Sequence, residues 1–282
     1  MKHPGSSQLL ALLLVTLAVS GCQEGQSPDR AQGTTRAPVS EVPVAVEQEP
    51  VDLEEVLEIT PEYMVGITYP QSAIVHPRLA AEMKRYAEEQ RAQFMEAVQA
   101  RAESKGASDD GVLYDLSLRF TQVIDTPQLA AYAAEGSSFT GGAHANALLE
   151  RFVWLPDQGR LLTFGELVPG KEGREAVAAH VREQLHTALS QRVDADELPA
   201  GERSEWISSA SRMIEEGTQP DPENLDTFEP VVNSSGKVTA LRFVFPPYQV
   251  GPYSDGVQTA QVPSAVLRPH VATEYQDMFA EG

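Results

Sequence analysis

The residues best suited to chemistry lie together in one short stretch, residues 137–146. In order it reads Ser137-Ser138-Phe139-Thr140-Gly141-Gly142-Ala143-His144-Ala145-Asn146. Two adjacent glycines let the backbone adopt angles that other residues avoid, so the chain can turn sharply there. Apolar and aromatic residues on both sides indicate strands. The stretch therefore predicts the mouth of a β-hairpin, with a histidine and an asparagine directly after the turn.

Nucleophilic catalysis is the first chemistry that this stretch suggests. An imidazole can activate a serine hydroxyl when an acidic group orients it. Ser138, His144 and a carboxylate from elsewhere would form such a triad, and a cell-wall hydrolase using His144 is one possible function. However, no nucleophile-elbow sequence surrounds either serine. The sequence favours the alternative, in which His144 bonds locally at the hairpin mouth, and we predict no catalytic residue and no enzymatic activity.

The sequence gives little support for a metal-binding or phosphate-binding site. The six histidines are His3, His76, His144, His180, His186 and His270. His180 and His186 do not share a helical face well, and no His-Glu-x-x-His sequence occurs, so a zinc site would need distant residues. The glycine pair lacks the following helix and the lysine that a phosphate cradle normally has. We predict no metal and no cofactor.

A second stretch, residues 246–256, carries two tyrosines between prolines. Tyr248 and Tyr253 lie beside Pro246, Pro247 and Pro252. Proline-stiffened loops with tyrosines suit a recognition surface, because they are amphipathic and lose little entropy on binding. The alternative is that the tyrosines plug the end of the core, and both possibilities stay open. The predicted binding residues are Gly141, Gly142, His144, Asn146, Tyr248 and Tyr253.

Hydrophobic spacing predicts the elements that position these residues. In the first half these are a strand at 63–69, a helix from Pro77 to about Gly106, and strands at 114–121, 128–139, 145–155 and 160–163. The second half begins with a short turn or helix at 164–168 and two amphipathic helices around 177–189 and 206–214. Strands at 225–232, 239–245 and 257–262 and a helical tail through Phe279 follow. This order predicts an α+β fold: mostly antiparallel sheet meanders packed with amphipathic helices, two related halves in one compact unit.

The start of the chain predicts its compartment. Lys2 and His3 precede the apolar run Leu9–Val19, which is too short for a comfortable membrane span. Val19-Ser20-Gly21-Cys22 then resembles a bacterial lipobox, in which the cysteine is lipidated before cleavage. An ordinary secretory leader with a chance cysteine is the alternative. We expect a signal peptide at 1–21 and a lipid such as palmitate on Cys22, the single cysteine of the chain.

Residues 22–60 are predicted to form a flexible acidic tether, because small, polar and acidic residues dominate and few large apolar side chains are available to bury. Leu53, Val56 and Leu57 have the spacing of one docked helical turn. Gln23, the residue directly after the cysteine, resembles the residue found there in lipoproteins that are sorted to the outer membrane. An aspartate at this position would indicate retention in the inner membrane. We therefore expect a lipid-anchored envelope protein, most simply at the periplasmic face of the outer membrane.

Charge narrows the choice of partners. The net charge is −20, with 41 acidic residues. Such a surface argues against nucleic acid and against anionic lipid headgroups. It is compatible with a cationic protein partner, or with a surface that is simply solvated.

Three motifs together resemble a bacterial envelope family. They are Phe139-Thr140-Gly141-Gly142-Ala143-His144, the stretch 161–168 (LLTFGELV), and residues 245–256 (FPPYQVGPYSDG) followed by Gln261-Val262-Pro263. The order of these motifs resembles the extracytoplasmic region of RsiV-type anti-sigma factors. It is also similar to the non-catalytic N-terminal part of PdaC-type peptidoglycan deacetylases.

The resemblance implies a PdaC-like domain at 61–160 and an RsiV-like domain of unknown function at 161–282. It implies a binding or sensing role at the cell wall, with peptidoglycan, lysozyme or another envelope protein as the partner. The deacetylase's catalytic domain is a separate one, so its activity and metal do not carry over. A lipobox stands where RsiV has its sigma-binding segment and transmembrane helix, so the anti-sigma role does not carry over either. An assembly or structural lipoprotein remains the third possible function.

Overall fold

Two β-sheets and the helices that flank them make up the protein in this computed structural model, which describes residues 51–104, 111–195 and 200–281. The predicted α+β class with mostly antiparallel strands is confirmed. Cys22, the predicted signal peptide and the predicted tether up to residue 50 lie outside the described residues. Within the described residues, no helix combines the length and the apolar character that crossing a membrane requires.

The first sheet has six strands in the order of the sequence. They are β1 (Val56–Ile59), β2 (Tyr63–Thr68), β3 (Tyr114–Asp125), β4 (Ala130–Phe139), β5 (Asn146–Leu155) and β6 (Arg160–Leu161). All neighbours pair antiparallel except β2 and β3, which are parallel. Helix α1 (Pro77–Ser104) connects these two strands, and a crossover helix is the usual way to return the chain for parallel pairing.

Helix α1 covers one face of this sheet. Its stripe of Leu79, Met83 and Phe94 is fully buried. The stripe meets Leu116, Leu118 and other alternate residues of the strands in one core cluster. The neighbours of these strand residues consequently point to the opposite face, as the period of two requires.

The second half contains a short helix, two long helices and a three-stranded sheet. Its elements are α2 (Phe164–Leu167), α3 (Lys171–Ala195), α4 (Ala200–Gly217), β7 (Phe228–Val232), β8 (Val238–Phe245), β9 (Gln258–Pro263) and α5 (Ser264–Leu267). Short 3-10 helices span Gln71–Val75, Pro222–Leu225, Tyr253–Asp255 and Thr273–Met278. Edge-to-face contacts of Phe164 with Phe228 and Phe243 anchor the core of this half.

Two local predictions are wrong. In place of the helical turn expected at Leu53, Val56 and Leu57, strand β1 begins at Val56, which pairs with Ile67 of β2. The edge of β2 offers hydrogen-bond partners that an isolated turn of helix cannot match. The helical tail is interrupted: α5 ends at Leu267, and Phe279 bridges to Val238 as an extended residue.

Candidate functional site

The two predicted binding loops meet. The hydroxyl of Tyr248 lies 2.7 Å from Nε2 of His144. The ring of Tyr253 stacks on the imidazole, with centroids 3.8 Å apart and planes 10° apart. The two tyrosine rings are 5.9 Å apart. We call these three residues the aromatic cluster.

The turn between β4 and β5 holds His144 in place. Gly141 and Gly142 have φ angles of 92° and 102°, values that side chains rarely tolerate. The hairpin mouth therefore forms as predicted and leaves His144 exposed at its tip. Asn146 pairs with Ser138 at the start of β5, and its exposed side chain does not join the cluster.

The loop that follows β8 is anchored to the helices on its other side. The side-chain amide of Gln249 donates to the carbonyl oxygens of Gly217 and Asn224, both at 3.0 Å. The carboxylate of Asp255 binds the guanidinium of Arg192 at 2.8 Å. Gln249 lies between the two tyrosines and Asp255 lies just after the second. These contacts therefore hold the loop that carries both tyrosines in place.

Tyr248 has an unusual backbone. Its φ of 75° makes it the sole non-glycine residue with positive φ in the described part of the chain. A residue with a Cβ in this region costs about 1–2 kcal/mol, and such strain concentrates at functional sites. The side chain is 57% exposed. Tyr248 therefore does not plug the core.

The contacts of His144 suit binding better than proton transfer. Its Nε2 faces a phenol, and among the described residues neither a serine nor a carboxylate hydrogen-bonds the ring. Ser138 lies in the β4–β5 ladder, and the hydroxyl of Ser137 faces that of Ser117 at 3.5 Å. The described ranges also contain no group of three histidine, cysteine or acidic side chains placed to hold a metal ion.

A buried ion network, which the sequence did not predict, joins the two sheets. Arg151 of β5 binds Glu229 of β7 at 2.8 Å, and the two side chains are 3% and 2% exposed. Arg151 also binds Glu135 of β4 at 2.6 Å, while Arg242 of β8 pairs with Glu229. The network fixes the second sheet on the face of the first sheet that α1 leaves free. Charged residues in predicted strands carried no signal of this burial.

The uncovered part of that face forms a concave site, which we call the sheet trough. Its volume is about 510 Å³, within the range of small-ligand sites. It is lined by Gly66, Thr68, Ser117, Leu118, Arg119, Thr121, Glu135 and Gly136. A glycine inside the predicted strand at 63–69 was the available sequence signal, because such glycines often mark a close approach of another chain or ligand.

One carboxyl group near the hairpin has a perturbed affinity for protons. Burial raises the pKa of Glu150 on β5, and the charge of Asp226 acts in the same direction. The backbone N–H of Arg151 and the charges of Arg151 and Arg85 oppose this shift. Burial likewise raises the pKa of the neighbouring Tyr86 to about 12. Glu150 is thus a half-buried acid that its environment disfavours in the ionised form.

Comparison with solved structures finds proteins whose fold is similar to that of this chain. A crystal structure of a DUF3298 family protein from Pseudomonas aeruginosa has a TM-score of 0.51 and 17% identity, covering 83% of this chain and 99% of that one. A DUF3298 family member from Bacteroides fragilis has a TM-score of 0.49 and 15% identity, covering 79% and 94%. No protein-family model matches the chain, and no curated protein matches it. At these identities the likeness concerns the fold alone.

Proposed function

We propose that this chain is a lipid-anchored protein of the cell envelope that binds an envelope ligand without transforming it. The ligand is peptidoglycan, lysozyme or another envelope protein. The observation that carries the proposal is the contact between His144 and Tyr248, because it joins two sequence-distant loops into one exposed aromatic surface. Exposed aromatic side chains on a rigid support are typical anchors of recognition sites.

The geometry of the cluster supports binding over hydrolysis. A hydrolytic histidine needs a hydrogen-bonded nucleophile and an orienting acid. His144 instead lies between two tyrosines. The strain at Tyr248 fits a side chain held in position for contact, since the same backbone would relax with glycine.

The envelope location is proposed on sequence grounds. The lipobox-like Val19-Ser20-Gly21-Cys22 supports lipidation of Cys22, and the motif order of the RsiV-type and PdaC-type proteins supports a role at the wall. Labelling cells with a palmitate analogue tests the anchor. The wild-type protein should carry the label, and the Cys22→Ser variant should not; label on both would exclude Cys22 as the site.

A pull-down tests the binding function itself. The full-length chain in detergent is incubated with purified sacculi and, separately, with immobilised lysozyme at physiological salt. We expect retention by at least one, weakened about tenfold in His144→Ala because the cluster loses its central ring. His186→Ala is the matched control, since His186 makes one comparable contact, to Glu215 at 3.3 Å, away from the cluster. Retention by neither ligand would overturn the proposal.

The same samples test the hydrolase alternative. If wild type releases soluble fragments from sacculi and His144→Ala does not, the protein is an enzyme and the proposed function is wrong. Release from neither agrees with binding alone. Equal release from both would exclude His144 as the catalytic residue and would still contradict binding without transformation.

A further inference from the structure

The sheet trough lies on the same side of the first sheet as the second half of the chain. Glu135 lines the trough and binds Arg151. Arg151 in turn binds Glu229 of β7, so the second sheet sits on this face. Gly136 in the trough pairs with Leu148, four residues after His144. The trough therefore involves the same hairpin that carries the aromatic cluster at its mouth.

The two glycines of the trough have different roles. A Cβ on Gly136 would lie 1.9 Å from the carbonyl oxygen of Ser117, so the close approach of β3 and β4 requires glycine there. A Cβ on Gly66 would meet no atom within 4 Å. No packing contact in the described chain explains why this strand interior lacks a side chain. A site where another molecule comes close to the backbone is one established reason for such a glycine.

The lining of the trough has no excess of acidic side chains, unlike the chain as a whole. Glu135, Arg151, Glu229 and Arg242 together carry no net charge. Arg119 is exposed and makes no ion pair or hydrogen bond within the described residues, so its guanidinium is available to a ligand in the trough. Asp115 lies four residues before Arg119, near the start of β3. A free guanidinium fork is well shaped for two hydrogen bonds to a carboxylate.

The remaining lining suits a carbohydrate. Thr68, Ser117 and Thr121 offer hydroxyl groups. Leu57, which is 78% exposed, lies directly opposite Gly66 in the ladder and offers an apolar surface. Protein interfaces instead have cores rich in aromatic and apolar side chains and poor in charge. Hydroxyls and an arginine in the trough, with one aliphatic side chain beside it, match sugar rings that bear hydroxyl and carboxylate groups.

We propose that the sheet trough binds a carboxylate-bearing amino-sugar glycan, the chemistry of the peptidoglycan strand. The glycan backbone lies over Gly66, and a carboxylate binds the guanidinium of Arg119. This inference rests on the proposed binding function and names the ligand of one of its surfaces. The carboxylate comes from the lactyl group of the sugar or from the attached peptide.

Calorimetric titration of the full-length chain in detergent tests the proposal with three ligands. One is a peptide-free tetrasaccharide of alternating N-acetylglucosamine and N-acetylmuramic acid. The second is a disaccharide-peptide, and the third is the N-acetylglucosamine tetramer, which has no carboxylate. We expect at least one carboxylated ligand to bind about tenfold or more tighter than the neutral tetramer, as one charged hydrogen-bonding group provides. The tighter of the two identifies the source of the carboxylate.

Two variants assign the binding to the trough. Arg119→Gln should remove the preference for the carboxylated ligands, and Arg85→Gln on the opposite face is its control. Gly66→Leu should weaken all three ligands about tenfold or more by filling the trough, while the melting temperature stays close to that of wild type because its Cβ meets open space. Gly170→Leu, which also meets no atom within 4 Å of its Cβ, is the matched control.

The outcomes separate this inference from the proposed function. If wild type binds sacculi or lysozyme but Gly66→Leu binds the glycans as well as wild type does, the trough assignment is wrong and the binding function stands. The same holds if Arg119→Gln keeps the carboxylate preference. A loss of lysozyme binding in Gly66→Leu with glycan binding intact would assign the trough to a protein partner and overturn the inference. Absence of binding by wild type to every ligand would overturn both.

Discussion

The hydroxyl of Tyr248 and Nε2 of His144 are 2.7 Å apart although 104 residues separate them in the chain. One residue belongs to the hairpin of the six-stranded sheet and the other to the loop that follows β8. The contact therefore adds a second connection between the two sheets, because the Arg151–Glu229 ion pair already joins β5 to β7. Four predictions follow from these connections and from the acid beside them.

Tyr248→Gly should impair binding without harming the fold. Glycine relieves about 1–2 kcal/mol of left-handed backbone strain, while its greater unfolded-state freedom costs about 0.5–1 kcal/mol. With the side chain 57% exposed, little buried area is lost. We expect a melting temperature within about 4 °C of wild type, with clearly weaker retention by sacculi or lysozyme. A large fall in melting temperature would mean that Tyr248 is a structural plug; Tyr248→Phe, which keeps the ring, controls for the loss of the hydroxyl.

Gly217→Ala should displace the tyrosine loop. A Cβ on Gly217, the last residue of α4, would lie 2.0 Å from the carbonyl oxygen of Gln249, so backbone must move. Overpacking of this kind typically costs about 1–3 kcal/mol, measurable by urea denaturation, and the moved loop should also weaken ligand binding. Gly201→Ala in the same helix is the control, because its Cβ meets open space and alanine favours the helix by up to about 1 kcal/mol. Equal stability of the two variants would contradict the prediction.

Much of the secondary structure follows from residue spacing, because alternation and helical stripes record which face is buried. The hairpin mouth also follows, since Gly141 and Gly142 permit the turn that the flanking strands require. The contact of His144 with Tyr248 does not follow, because local patterns contain no information on which distant loops meet. The turn expected at Leu53–Leu57 fits a helix by spacing, yet the edge of β2 decides its structure.

The burial of charged side chains also cannot be predicted from residue spacing. Arg151 and Glu229 each lie in a predicted strand, where a charged residue normally indicates the solvent face. Only the packing of one sheet on the other removes them from water. Gly66 is predictable in part: a glycine inside the predicted strand at 63–69 indicates a close approach, but the sequence does not show whether the chain itself or open space lies over it.

Arg151→Met should be strongly destabilising. It leaves Glu229, which is 2% exposed, with Arg242 as its remaining cation. Removing one partner of a buried pair typically costs about 3–5 kcal/mol, and urea denaturation measures it. The double variant Arg151→Met/Glu229→Gln should recover part of the loss, because the uncompensated carboxylate is gone.

The control for the ion pair is Arg85→Met, whose partner is Glu82 on the surface at 2.9 Å. An exposed pair contributes at most about 1 kcal/mol. A cost for Arg151→Met no larger than that of Arg85→Met would show that the buried network contributes nothing special to stability.

Glu150→Gln should stabilise the protein at neutral pH. Because burial raises the pKa of Glu150 above its unfolded value, the folded state binds more protons in the pH range between the two values. Stability from this group is therefore full below the ordinary glutamate value of about 4.3 and is lost as pH rises through the folded pKa. Glutamine is never ionised, and its carbonyl oxygen can still accept the hydrogen bond from the backbone N–H of Arg151, which Glu150 accepts at 2.9 Å.

Thermal unfolding from pH 4 to 8 measures this effect. The melting temperature of Glu150→Gln should exceed that of wild type at pH 7 by a few degrees, since about 1 kcal/mol corresponds to about 2–4 °C at this size. The difference should shrink towards zero as the pH falls to 4, where wild type is protonated as well. Glu96→Gln, an exposed acid on α1, should show no such trend. A gap that grows on acidification would reverse the sign and mean that ionised Glu150 stabilises the fold.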